Sequence, residues 1–230
     1  MTGITRYIRR RTNPVDVAGI PLGSDYPIRV QSMTNTLTSD VSGSVAQCIR
    51  IIGAGADYVR FTVPSLNDVK SLAAIKKELL QKGFHTPVIA DVHFNPEIAL
   101  QAADYADKVR INPGNFTEKE KFILLLEKCQ ARRGALRSGV NHGSLSERIL
   151  REFGDTPAGM AESAMEYLRI CRDHHFDQVV VSMKASNVRI MVFATRLIVK
   201  KMVEEGMYFP LHLGVTEAGE GEDGRIKSAC

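Results

Sequence analysis

Residues 87–112 run Pro87-Val88-Ile89-Ala90-Asp91-Val92, then a stretch from Pro96 to Tyr105 with apolar positions three and four apart, then Lys108-Val109-Arg110-Ile111-Asn112. The two flanking runs are short, β-branched and apolar, and the middle has the helical period, so the segment reads as strand, helix, strand. A helix of that length between two strands is a crossover, which joins parallel neighbours. The same alternation extends in both directions. It predicts strands over 28–33, 58–63, 87–92, 108–112, 135–141, 178–183 and 210–215, and helices over 42–52, 66–81, 96–105, 118–132, 158–172 and 186–205. No Gly-rich dinucleotide fingerprint follows the first strand, which disfavours an open doubly wound sheet. The expected fold is therefore an α/β, (β/α)8 TIM-type barrel truncated before its eighth strand: 230 residues fall short of the usual ~250. A helix opening at 223–229 is the last element of the reading. Residues 1–27, with Gly19-Ile20-Pro21-Leu22-Gly23 at a turn, are expected to form a hairpin over the closed end, and residues 28–230 the barrel.

Local signals agree with this phase. Thr38-Ser39-Asp40, Ser65 and Asp155-Thr156-Pro157 stand where helices should begin, and Gly53, Gly83 and Gly206 where helices should close.

Composition excludes several classes. The chain is 44% apolar and 24% charged, with Gly and Pro near average usage, which is neither collagen-like nor disordered. No window approaches the roughly twenty unbroken apolar residues of a bilayer span. A net charge of +4 suits an anionic small molecule as well as a polyanion. The basic residues are scattered rather than gathered with aromatics, so nucleic-acid binding is not expected. Arg9-Arg10-Arg11 is followed by no signal-peptide core, and a cytoplasmic protein with reduced thiols is expected. Cys48, Cys129, Cys171 and Cys230 lack any paired-cysteine metal spacing; the first three fall in helical stretches as small buried hydrophobes.

The chemistry lies inside the strands. Asp57-Tyr58-Val59-Arg60 and Asp107-Lys108-Val109-Arg110 repeat one pattern, and Arg137 occupies a comparable place in the fifth strand. Buried parallel strands are normally apolar, so an arginine there requires an anionic partner or a wet mouth. The period of two aligns Arg110 with Asn112, Arg137 with Asn141, and Ser182 with Lys184 and Ser186. Facing the barrel axis, these make a ring of forked donors and amides suited to a diphosphate. The alternative is that the arginines close salt bridges with Asp57 and Asp107. Asp91-Val92-His93 reads as a structural pair, an acid–base pair or a metal pair. Lys184 reads as a phosphate-binding charge or as a Schiff-base lysine in a class I aldolase-like barrel. Glu217 reads as a proton-handling or hydroxyl-holding carboxylate, or as a loop cap.

Taken together, Val30-Gln31-Ser32-Met33-Thr34-Asn35-Thr36, Ala90-Asp91-Val92-His93-Phe94, Val109-Arg110-Ile111-Asn112-Pro113-Gly114-Asn115, Gly139-Val140-Asn141-His142-Gly143-Ser144-Leu145, Lys184-Ala185-Ser186 and Leu211-His212-Leu213-Gly214-Val215-Thr216-Glu217-Ala218-Gly219 resemble the hydroxymethylbutenyl diphosphate synthase family. The resemblance covers essentially the whole chain in order. It implies a barrel holding 2-C-methyl-D-erythritol 2,4-cyclodiphosphate while a four-iron four-sulfur cluster, fed by a flavodoxin or ferredoxin-type reductant, opens the ring and expels a hydroxyl in isoprenoid biosynthesis. It further implies that Arg60, Arg110, Arg137 and Lys184 bind the diphosphate. Asn112 and Asn141 would supply amide contacts, Glu217 the catalytic carboxylate, and Gln31, Asp91 and His93 other polar positions at the mouth.

The family's eighth strand and its cluster domain have no counterpart in these 230 residues, and Cys230 does not align with a cluster ligand. The chain alone is therefore expected to lack a cluster and redox activity; the full-length enzyme is expected to be a homodimer. Ser138 departs from the family's usual apolar residue and has the parity that faces the helices. A non-catalytic phosphate-binding module is the remaining alternative.

Overall fold

The computed structural model describes residues 9–229; residues 1–8 of the expected hairpin segment, and Cys230, lie outside the described residues. Six strands, β1 (Gln31–Met33), β2 (Tyr58–Thr62), β3 (Val88–Asp91), β4 (Lys108–Ile111), β5 (Ala135–Asn141) and β6 (Val179–Lys184), alternate with helices α1 (Val41–Gly53), α2 (Leu66–Gln81), α3 (Pro96–Ala102), α4 (Lys119–Ala131), α5 (Glu147–Phe153), α6 (Pro157–Asp173), α7 (Val188–Glu204) and α8 (Gly221–Ala229). Every named pair is parallel and the strand order follows the chain, so the sheet curls into a partial barrel with its helices outside.

Side-chain alternation divides the strands into two faces. Val59, Phe61, Val109, Ile111, Leu136, Val140, Val179, Val181 and Met183 join the helices in the main core. The opposite face carries a small apolar cluster of Tyr58, Ile89, Ala135 and Val180 at the strand starts, against which Val15 and Val17 pack. Val15 and Leu22 exchange both backbone hydrogen bonds at 2.9 Å, with Gly19 at φ +82° in the intervening turn. The Tyr58 hydroxyl donates to the Ile20 carbonyl at 2.6 Å, tying this turn to the barrel floor.

The helix starts follow local chemistry. Asp40 accepts from the Gly43 N–H, Ser65 from the Asp68 N–H and Thr156 from the Gly159 N–H, each satisfying a donor in the first turn. Three expectations are corrected. Gly53 belongs to α1, and the left-handed residue that ends the turn is Gly55 at φ +96°. Helix α5, opened by Ser146, is absent from the sequence reading because seven residues hold too few apolar repeats to reveal a period. The expected seventh strand over 210–215 reduces to one parallel bridge between Val181 and Leu211. The bridge is made by the Val181 N–H donating to the Pro210 carbonyl and the His212 N–H to the Val181 carbonyl; Pro210, with no N–H, cannot extend the ladder before it, and Gly214, with no side chain to pack, weakens it beyond. No helix among the described residues is long and apolar enough to cross a membrane.

Candidate functional site: a cationic cage in the barrel

The inner face above the apolar floor is charged. Arg60 from β2, Lys108 and Arg110 from β4, Arg137 from β5 and Lys184 from β6 converge around Asp91 of β3. Asp91 Oδ1 accepts from Arg110 Nη1 at 3.0 Å, and Asp91 Oδ2 lies 3.4 Å from Arg60 Nε and 3.3 Å from His93 Nε2. Burial works to raise the pKa of Asp91, but the His93 hydrogen bond and Arg110, Arg60 and Arg137 outweigh it and hold the carboxyl well below the usual range. Neither Asp57 nor Asp107 pairs with the strand arginines: Asp57 pairs with Arg29 at 3.2 Å and Asp107 with Lys76 at 2.7 Å. Both carboxylates also accept a strand N–H, from Val30 and Val88, and so tie the starts of adjacent strands together.

One carboxylate cannot neutralise five cations. Arg137 is 1% exposed, yet its Nε and Nη1 have no hydrogen-bond partner, nor do Arg110 Nε and Ser182 Oγ. Leaving such donors unmade is costly, and an anion with several acceptor oxygens would satisfy them. The remaining contacts hold the guanidinium groups in place. Arg110 Nη2 donates to the Gly139 carbonyl at 3.0 Å, and Arg60 Nη2 meets the Met33 thioether sulfur at 2.8 Å. Burial, reinforced by Arg60 and Arg110, depresses the pKa of Arg137.

Lys184 lies at the C-terminal end of β6. Burial, followed by Arg137, Arg60 and Arg110, brings its ammonium down to about 7, with Asp91 pulling the other way. A methyl built on Gly214 would stand 3.3 Å from Lys184 Nζ, so the segment after the Leu211 bridge runs close over this lysine. His212 of that segment is held well below its ordinary range by burial and by Arg137, Lys184, Lys108 and Arg60.

The other predicted residues divide. Asn112 is buried and committed to its loop: Nδ2 donates to Ser144 Oγ at 2.9 Å and Oδ1 accepts from the Gly114 N–H at 3.1 Å. Gly114 is required there, because an added Cβ would overlap the Ser144 carbonyl. Asn141, half-buried at the end of β5, pairs in register with Lys184. Gln31 is placed lower, lining a hollow of about 350 Å³ with Tyr58, Lys108 and His212, and its buried Oε1 lacks a partner. Glu217 is exposed at φ +52° on the loop after His212, where the Thr216 N–H donates to the carbonyl of Ala185, the residue after Lys184, at 3.4 Å. Ser138 faces the helices, and its buried hydroxyl is unpartnered.

Three contributors were not singled out from the sequence. Lys108 shares the parity of Arg110, a signal the repeated Asp-x-x-Arg pattern already carried. Gly139 interrupts a strand, which marks close approach, and a methyl there would stand 2.7 Å from Arg110 Nε. His212 reaches the cage through the chain path alone.

A family model described as the GcpE TIM-barrel domain matches residues 12–230. The chain belongs to this family.

Among GcpE-family relatives, 4-hydroxy-3-methylbut-2-en-1-yl diphosphate synthase (flavodoxin) of Phocaeicola vulgatus is 51% identical over 97% of this chain and 40% of its own length. The chloroplastic ferredoxin-type synthase of Oryza sativa subsp. japonica is 49% identical over 96% of this chain and 33% of its own. The chain therefore spans about 40% or less of these two relatives' length. Among solved structures, Xanthomonas albilineans dihydropteroate synthase aligns with TM-score 0.59 at 15% identity, covering 94% of this chain and 80% of that one. N-acetylneuraminic acid synthetase of Leptospira borgpetersenii aligns with TM-score 0.62 at 9% identity, covering 91% of this chain and 72% of that one. At these identities the likeness concerns the barrel fold alone. In the GcpE barrel, Asp91 and Lys184 end their strands on the C-terminal face where such barrels place their sites, with Arg137 and Lys108 deeper in the barrel.

Proposed function

We infer that this chain is the substrate-binding barrel of a 4-hydroxy-3-methylbut-2-en-1-yl diphosphate synthase, and that the cage receives the diphosphate of 2-C-methyl-D-erythritol 2,4-cyclodiphosphate. The observation that carries this reading is the set of unpartnered donors on Arg110, Arg137 and Ser182 among five cations facing one carboxylate. The names of the relatives support the reaction, and their two forms support a flavodoxin or ferredoxin partner for the whole enzyme.

Opening the cyclic diphosphate breaks a carbon–oxygen bond and leaves charge on a phosphate oxygen. Fixed guanidinium groups in a dry site stabilise such developing charge without reorganising. Arg110 and Arg137 would hold the diphosphate from below and Lys184 from the mouth, with Asn141 at the rim; Asp91 and His93 keep Arg110 and Arg60 in position. Glu217, on the loop that Gly214 and Thr216 hold beside Lys184 and Ala185, would meet the substrate's hydroxyl groups.

The described residues do not fit an iron-sulfur cluster. Cys48, Cys129 and Cys171 sit buried on three separate helices, burial raises each thiol's pKa, and no group of three metal-ligating side chains occurs among the described residues. In this reading the electrons enter from a part of the full enzyme other than these residues.

Calorimetric titration with the cyclodiphosphate, using pyrophosphate as the charge control, tests the assignment. Saturable binding that prefers the cyclic substrate and is lost in Arg110→Ala and Lys184→Ala is expected. A folded chain that binds neither compound would refute it. Borohydride trapping of a carbonyl substrate on Lys184 would instead favour the Schiff-base reading.

A further inference from the structure

Lys108 is the one member of the cage placed too deep to meet a ligand at the mouth. It lies one pleat below Arg110 at the start of β4, is 1% exposed, and has its ammonium 4.6 Å above the Tyr58 ring. No carboxylate lies within ion-pairing distance of it among the described residues. The groups around it are Tyr58 and Arg60 of β2, Arg137 of β5, and His212 of the segment after β6; Asp91 of β3 is engaged with Arg60 and Arg110. A ring face is a weak substitute for a counter-ion, and two facing guanidinium groups oppose the charge. Burial first, then Arg137 and Arg60, bring the ammonium down to about 7. The hollow of about 350 Å³ lined by Gln31, Tyr58, Lys108 and His212 gives this lysine a route for proton exchange beside the barrel floor.

We propose that Lys108 is a further positioning residue of the anion site, one that takes up a proton when a polyanion fills the cage above it and so adds its positive charge only in the occupied state. This rests on the anion-site reading of the cage. The physical basis is reciprocal: an anion held by Arg110 and Arg137 offsets the repulsion that Arg137 and Arg60 exert on a charged Lys108, and the proton that binds there strengthens retention of the anion by the same factor. Lys108 thereby favours ligands carrying several negative charges over singly charged ones. In the empty barrel it reduces the repulsion that five fixed charges would impose.

The test is calorimetric titration of the whole chain with inorganic pyrophosphate at pH 8 in buffers of different ionisation enthalpy, which counts the protons exchanged on binding. Pyrophosphate's own proton changes are common to the parent chain and Lys108→Met, so their difference isolates Lys108. The parent is expected to take up roughly 0.5 to 0.8 more proton than Lys108→Met, and affinity is expected to fall more steeply with rising pH in the parent. Equal proton counts with binding intact overturn the proposal and leave the anion site standing. Failure of the folded parent chain to bind pyrophosphate overturns the anion-site reading and the Lys108 proposal with it. A second readout is independent of how the variant folds: lysine 13Cε NMR of the unsubstituted chain, free and pyrophosphate-saturated. There the Lys108 titration should move up by about one pH unit or more, and an unmoved midpoint overturns the proposal.

Discussion

Arg110 Nη2 donates to the carbonyl oxygen of Gly139 at 3.0 Å, and a methyl group on Gly139 would stand 2.7 Å from the Nε of the same guanidinium. The missing side chain lets two strand arginines approach one another across β4 and β5, since the same methyl would also stand 3.4 Å from Arg137 Nε. Gly139→Ala is therefore expected to displace the Arg110 side chain without straining the backbone. Overpacking of this kind costs about 1–3 kcal/mol. Pyrophosphate affinity should fall about tenfold or more, as a shift of one charge-assisted hydrogen bond implies. Unchanged affinity would show that the cage tolerates the methyl.

Asp91 is the counter-ion for Arg60 and Arg110. Asp91→Asn leaves both guanidinium groups uncompensated, and breaking a buried pair in this way costs about 3–5 kcal/mol. Chemical denaturation should show that loss. The folded pKa of Asp91 is depressed, so its stabilisation is present above the unfolded value of about 3.9 and fades as pH falls below it toward the folded value. Acid unfolding of the parent chain should begin below about pH 4 from this group.

In the proposed anion site, Arg137 would serve binding at the expense of folding. It is fully buried with two donors unmade. Replacement by the apolar, similarly shaped methionine is expected to leave stability unchanged or raise it by about 1–4 kcal/mol, while abolishing anion binding. Thermal unfolding and titration of the same sample separate the two effects; a marked loss of stability in Arg137→Met would contradict the assignment.

Stability of the empty chain should rise from pH 7 to about 8.5. Lys108 and Lys184 have folded pKa values lowered to about 7 from an ordinary 10.5, so across this interval the unfolded chain binds more protons and rising pH favours the folded state. The expected slope is about 1 kcal/mol per pH unit, after discounting partly exposed Lys184. Near pH 9 the trend should reverse, because Cys48 and Cys129 are pushed up to about 12 and the folded chain then keeps protons that the unfolded chain loses. A flat profile between pH 7 and 8.5 would contradict neutral lysines in the empty cage.

Tyr58 connects the floor to the turn at Ile20 through a 2.6 Å hydrogen bond and lies beneath the Lys108 ammonium. Tyr58→Phe keeps the ring and removes the hydroxyl. It is expected to cost about 1 kcal/mol, with hydrogen exchange rising over residues 15–22 and anion binding nearly unchanged.

The order of elements was legible in the sequence because helical and strand periods differ and each crossover demands a parallel neighbour. Residues 66–81 were read as a helix, and α2 has those bounds; Asp40, Ser65 and Thr156 cap where the sequence places them. Strand parity grouped Arg110 with Asn112 and Arg137 with Asn141, but parity alone does not say which group faces the barrel axis. The 210–215 segment was read as a strand because it is apolar, but a strand exists through its neighbours, and β6 provides only the Leu211 bridge.

The sequence by itself thus determined the fold class and the presence of cations within buried strands, since both depend on spacing along the chain. The tertiary structure decided which charges meet: Asp91 rather than Asp57 or Asp107 faces the arginines, Asn112 turns to its loop, and Lys108, Gly139 and His212 join the cage, with Glu217 exposed on the loop after His212. The stagger between neighbouring strands and the path of the connecting loops set those distances, and Coulombic and hydrogen-bond energies depend on distance through space.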